Sequence, residues 1–211
     1  FHGYVAGGPA DDHEGTRLED GIARVRQGMK AMLRLGSAWY DVAAQVRAIT
    51  DMGLDSRNFI LCTDDSHSGT LVGEGHMDRV VRHAIAQGLR PITAIQMATI
   101  NVAQCYRMDR DLGSIAPGKC ADILLMTDLA AIDVKKVFID GELVAEHGKL
   151  TATIEKAVYP DFVKNTCHLK KPLTADDFKI EAPAGKTGTA KTRVIEIIEA
   201  RVGTYAREID L

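Results

Sequence analysis

Leu18, Ile22, Val25, Met29 and Met32 recur at helical spacing. The pattern predicts an amphipathic helix running toward Gly36, with AMLRLG (31–36) free to turn extended. Thr16, with Glu19 three residues later, reads as its capping box. A second helix is expected over 39–52, stopping at Gly53. Phe59, Ile60, Leu61 and Cys62 form an unbroken apolar run inside 58–63, which suits a strand buried on both faces, as in a parallel sheet. Helices are expected over about 75–87 and about 91–106, with Pro91 suited to a first helical position. Ahead of these, YVAGG (4–8) reads as the last turn of a helix closing on glycine. PADDHEG (9–15) reads as a short link.

From residue 113 the pattern changes. GSIAPGKCADILLM has a Pro-Gly turn and then a strand. KKVFIDGELVAEHGKL places Asp140-Gly141 between two strand-like runs, the strongest short hairpin signal. After about 151 the chain is polar and loop-rich, with KTGTAKT at 186–192, and a strand-like run returns at VIEII (194–198). Alternating strands and helices followed by a small β module predict an α/β fold of βα units. Chemistry in such folds gathers where strands end at their C-terminal edge. His13 and Asp64 both fall at such edges.

The 211 residues are 45% hydrophobic and 26% charged, with net charge -3. That balance is ordinary for a globular protein and gives no electrostatic case for nucleic acid or an anionic membrane. No apolar run is long enough to span a bilayer. Cys62, Cys105, Cys120 and Cys167 are scattered without a C-x-x-C pair, as expected of reduced thiols in a cytoplasmic protein.

Asp64 and Asp65 directly follow the apolar run. An acid pair is most often a solvated turn, but a carboxylate at a buried strand end can bind a cation or accept a proton. His13 lies in D-D-H-E, where an imidazole can ligate Zn, Mn or Fe with acids beside it. Glu74, His76 and His83 read as an exposed helix face. GSIAPGK lacks the spacing of a phosphate loop, and Cys167-His168 is an incidental pair. A zinc signature of the H-x-E with P-C-x-x-C type is absent.

In colinear order, YVAGGPADDHEGT, RVRQGMKAMLRLGS, FILCTDDSH, EGHMDRVVRHAI, AIQMATINVAQCY and GSIAPGKCADILL resemble bacterial adenine deaminases of the amidohydrolase superfamily. YPDFVKNTCHLKKPLTADDFKI is similar to that family's region after the barrel. The resemblance implies the C-terminal part of a metal-dependent (β/α)8 barrel, strands six to eight, over 1–110. A β-sandwich segment of a flanking domain follows over 111–150, and a further C-terminal region begins over 151–211. It implies hydrolysis of adenine to hypoxanthine and ammonia at a binuclear centre of divalent metal, Mn²⁺ or Fe²⁺ ahead of Zn²⁺. His13 would end strand six and Asp64 strand eight, both as metal ligands, with Asp64 and Asp65 as the catalytic residues. Glu14 and His67 would touch the substrate. The implied partners are a purine base and further copies of the chain in a cytoplasmic homo-oligomer. The family's H-x-H strand end, bridging acid and strand-five histidine are missing, and His2 aligns with the helix before strand six. The chain therefore reads as the C-terminal portion of such an enzyme. Alternatives are another amidohydrolase acting on a cyclic amide or amine, or a non-catalytic truncated remnant.

Overall fold

The computed structural model describes residues 1–181, 185, 188–199 and 201–210. They form two units, Phe1–Ala152 with Ile198–Gly203, and Thr153–Ile197 with Thr204–Leu211. The first begins with helix α1 (His2–Ala6), which closes at Gly7, and Gly8 then takes φ +99°. Strand β1 (Asp11–Asp12), helix α2 (Leu18–Arg26), strand β2 (Lys30–Arg34) and the short helices α3 (Val42–Gln45) and α4 (Arg47–Thr50) follow, and then strand β3 (Phe59–Cys62). The three strands are parallel in the order β1-β2-β3. This is the α/β architecture of successive barrel-type βα units. Helices α5 (Ser68–Gly73), α6 (Met77–Ala86), α7 (Pro91–Ala98) and α8 (Ile100–Cys105) complete the segment.

The two-residue period of a strand splits β2 and β3 into two faces. Ala31, Leu33, Phe59 and Leu61 join Val42, Val46, Val80, Ala84, Ala94 and Met97 in one buried cluster. Met32 and Ile60, paired in register, are buried outside that cluster on the opposite face. Phe59 is fully buried, which stabilises the fold by roughly 1.5–3 kcal/mol. Asn101 ties α8 to this strand, its Nδ2 donating to the carbonyls of Ser56 and Phe59 at 2.8 and 2.9 Å.

Several boundaries differ from the sequence expectation for local reasons. The first helix ends at Arg26 because Gly28 turns left-handed at φ +85°. Met29 and Met32 thus belong to the turn and the strand, and each is buried there. The cap is Asp20 rather than Glu19: its Oδ2 accepts from the Thr16 and Arg17 amides. The helix expected over 39–52 begins only at Val42, because Leu35 and Tyr40 first form an antiparallel bridge, and it tightens where the Ile49 amide donates to Val46 O. The helix expected to 106 breaks at Thr99, whose φ and ψ are -129° and -89°. The link after Pro9 contains β1, and α5 lies in a stretch where sequence periodicity showed no element.

The β module is a four-stranded antiparallel sheet of β4 (Ile123–Met126), β5 (Val134–Ile139), β6 (Glu142–Glu146) and β7 (Lys149–Leu150). Asp140 and Gly141 join β5 to β6 with φ of +50° and +84°. That pair of left-handed residues makes the twist-matched hairpin turn. In the second unit, β8 (Lys191–Ile197) pairs antiparallel with β9 (Thr204–Asp210). The strand predicted at 194–198 therefore starts three residues earlier and stops before Ile198, while residues 186 and 187 of the KTGTAKT loop lie outside the described residues. No helix among the described residues is long and apolar enough to cross a membrane.

Candidate active site

Parallel pairing brings the C-terminal ends of β1, β2 and β3 to one edge of the sheet. His13 and Glu14 leave β1 there, the 35–41 loop leaves β2, and Asp64 leaves β3. Asp12 braces the first of these segments, accepting from the Glu14 amide at 2.8 Å through one oxygen and from Arg24 through the other. Gln45, fully buried, donates from Nε2 to Gly15 O at 2.6 Å and holds the same segment from behind. A Cβ on Gly15 would stand 2.8 Å from Gln45 Oε1, so glycine permits that approach.

The loops after β2 and β3 interlock. The Ser37 amide donates to Asp65 O at 2.9 Å, and Ser37 Oγ accepts from the His67 amide at 2.7 Å. Gly36 is wedged among the carbonyls of Thr63 and Asp65 and the Trp39 ring. Arg79 of α6 donates to the carbonyls of Leu35 and Gly36 and to Glu74, which fixes the loop from the other side. Asp64 takes a left-handed φ of +57°, a conformation aspartate tolerates better than bulky residues.

His13, Glu14 and Asp64 converge. His13 Nε2 lies 3.4 Å from Glu14 Oε1 and 4.0 Å from Asp64 Oδ2. The other two sequence-predicted residues are placed differently. Asp65 is exposed, and the contact it makes is through its carbonyl. His67 is exposed and caps α5, its Nδ1 accepting from the Gly69 amide at 3.0 Å. Glu74 pairs with Arg79, as a solvated helix face would, whereas His83 is half-buried, and burial, then Arg79, hold its pKa below the usual range.

Sequence reasoning missed the centre of the site. Arg34, only 1% exposed, donates from Nη1 to Asp64 Oδ2 at 2.6 Å and from Nε to Asp41 Oδ2 at 2.7 Å. The same Nη1 lies 3.1 Å from Glu14 Oε2. Trp39 covers the guanidinium, whose carbon stands 5.6 Å from the ring centroid. Burial works against the Arg34 charge, but its bonds to Asp41 and Asp64 outweigh burial and raise its pKa, so it stays protonated. Burial raises the pKa of Asp41, with Arg34 opposing. An arginine directly after the apolar run Ala31–Met32–Leu33, on the face opposite Leu33, was the signal available in the sequence.

Three carboxylates around one guanidinium leave negative charge beside a histidine nitrogen. That donor set fits a divalent cation, with Glu14 and Asp64 both within 4.0 Å of His13 Nε2. Among the described residues no set of three or more His, Cys, Asp or Glu side chains is arranged to hold a metal by itself. Cys62, next along β3, is no competitor: burial and then the Asp64 charge push its thiol up to about 12. With so little thiolate at pH 8, Cys62 should resist iodoacetamide in the native protein while exposed Cys120 and Cys167 react. Mass spectrometry of the labelled peptides checks this.

The profile of the Amidohydrolase family matches residues 17–144, a span that takes in Arg34, Asp41 and Asp64. The chain belongs to the amidohydrolase family. Members of this family are generally metal-dependent, in keeping with the donor set. The chain is similar to the adenine deaminase of Mesorhizobium japonicum, with 64% identity over 211 residues, all of this chain and 35% of that protein. It is similar to adenine deaminase 3 of Rhizobium meliloti, with 62% identity over 206 residues, 98% of this chain and 34% of that protein. An adenine deaminase of Clostridium botulinum is 51% identical over the whole chain and 35% of its own length. The chain thus spans about a third of the curated relatives it matches. Among solved structures, a beta-aspartyl dipeptidase from Fervidobacterium islandicum AW-1 matches with TM-score 0.54 and 18% identity over 69% of this chain and 41% of that one. Another amidohydrolase matches with TM-score 0.50 and 20% identity over 69% and 42%. These two establish the amidohydrolase fold and nothing finer.

Proposed function

We propose that this chain is part of a metal-dependent adenine deaminase, which converts adenine and water to hypoxanthine and ammonia. The observation that carries the reading is the convergence of His13, Glu14 and Asp64 at successive parallel strand ends around an excess of negative charge. Similarity at 64% to a protein named adenine deaminase supports the substrate. His13 and Asp64 would hold a divalent ion, Mn²⁺ or Fe²⁺ ahead of Zn²⁺ and one of a pair in the full-length protein. When bound, the ion supplies Lewis-acid activation of water. Asp64 accepts the proton released as water attacks C6 of the purine and returns it to the departing amino group. Glu14, more than half exposed, would contact the base. His67, whose Nδ1 accepts from the Gly69 amide, would meet the purine through its Nε2 edge. Asp65 supports the pair through the loop its carbonyl holds. The working form is a cytoplasmic homo-oligomer acting on a free base.

The test uses the full-length protein that carries this chain, purified with its metal quantified. With adenine, ammonia release and hypoxanthine absorbance are followed; with dihydroorotate and hydantoin the ring-opened N-carbamoyl acids are followed, and with N-acetylglucosamine 6-phosphate the released acetate. Hypoxanthine and ammonia in equal amounts from adenine support the reading. Turnover of another member of the panel but not adenine overturns it in favour of a different amidohydrolase. Inertness without bound metal overturns it in favour of a remnant.

A further inference from the structure

We propose that Arg34 is a positioning residue. It sets where the carboxylates of Asp64 and Glu14 stand relative to His13, and Asp41 sets where Arg34 stands. The inference rests on the deaminase reading for its kinetic arm, though not for its metal-binding arm.

The geometry separates this role from that of a structural ion pair. Arg34 joins groups from three loops, Glu14 after β1, Asp41 after β2 and Asp64 after β3. A guanidinium placed only to neutralise a buried acid would direct its fork at that acid in bidentate fashion. Here the fork is divided. Nε goes to Asp41, while Nη1 serves both Asp64 and Glu14. Nη2 is buried with no hydrogen-bond partner among the described residues, and so is Nε1 of the neighbouring Trp39. A buried donor without a partner is destabilising. The arrangement thus gives up stability while placing one N–H on the two carboxylates that flank His13. Asp41, accepting from Nε at 2.7 Å, and the Trp39 ring, 5.6 Å from the guanidinium carbon, are two further contacts that fix the guanidinium.

A lysine cannot serve both directions, because its ammonium is one point charge on a flexible stem. In the full-length protein, Arg34→Lys should lower kcat for adenine about 10–100-fold, the range for groups that orient metal ligands, and leave KM little changed. Metal affinity, measured by chelator competition without substrate, should fall by a similar factor. Asp41→Asn keeps an acceptor for Nε but removes the charge that anchors it, and should move both readouts in the same direction by less. Each variant is compared at matched folded fraction, established by circular dichroism and thermal unfolding. Lowered kcat with steady KM and weakened metal binding in folded protein support the inference. Wild-type kcat and wild-type metal affinity in a folded Arg34→Lys or Asp41→Asn protein overturn it, whatever happens to the unfolding midpoint. If the parent protein does not act on adenine, the deaminase reading falls, and the chelator competition alone then decides the role of Arg34.

Discussion

In the full-length protein, Asp64→Asn is expected to keep the fold and to lose turnover of adenine by about 10²–10⁴-fold, the worth of a placed general acid–base group. The fold survives for three reasons. Asparagine has the same shape, its carbonyl still accepts from Arg34 Nη1, and it tolerates the left-handed backbone of position 64. Arg34 also keeps Asp41 and Glu14, so no buried charge is stranded. What is lost is a proton acceptor and a negative ligand. Steady-state kinetics together with a circular dichroism melt decide the matter. Full activity in a folded variant would remove Asp64 from the chemistry.

A second change acts through space alone. Gly36→Ala places a Cβ 2.6 Å from Asp65 O, 2.9 Å from Thr63 O and 2.9 Å from the Trp39 ring. Two of these are backbone oxygens on the segment that carries Asp64, so no flexible side chain can swing away. Overpacking of this kind costs about 3 kcal/mol. Relief would need the 35–41 and 63–65 loops to separate, which breaks the Ser37–Asp65 bond and moves Asp64 from His13. Gly3→Ala is the matched control: a Cβ there meets nothing within 4 Å, and the residue lies in α1. Denaturant midpoints should fall for Gly36→Ala and stay or rise slightly for Gly3→Ala. Equal midpoints would show that the two loops are not locked as described.

The parts legible in the sequence were those decided by local physics. Phe59 to Cys62 had to be a buried strand because no one-sided element leaves four consecutive apolar residues dry. Asp140-Gly141 announced its turn because few other dipeptides accept two left-handed residues. The motif likeness anticipated the amidohydrolase family. The misread parts depended on distant partners. Met29 and Met32 fit a helical stripe, and only the left-handed turn at Gly28 detaches them from α2. Thr99 breaks a long helix that its apolar spacing supports, so that Asn101 can reach the β3 backbone. Arg34 was passed over because nothing local to AMLRLG shows what its charge meets. Its partners Glu14, Asp41 and Asp64 are scattered along the chain, and nothing in their spacing shows that three strand ends meet. His13 and Asp64 were singled out from the sequence, but their approach to 4.0 Å is visible only once the parallel register is known.

The order β1-β2-β3 pairs each strand with its neighbour in sequence. Contacts of this kind close short loops, and the entropy of closure grows only slowly with their length. As the chain leaves the ribosome, β1 and β2 can pair before β3 has been made. Arg34 would by then have Glu14 and Asp41, but not Asp64. Its last partner arrives only after β3 has docked, so the charge cluster completes late. Assembly of the chemistry thereby becomes a test that the third strand has entered in the correct register, since a slip of one residue would turn Asp64 to the helix-covered face and leave Arg34 short of a counter-charge.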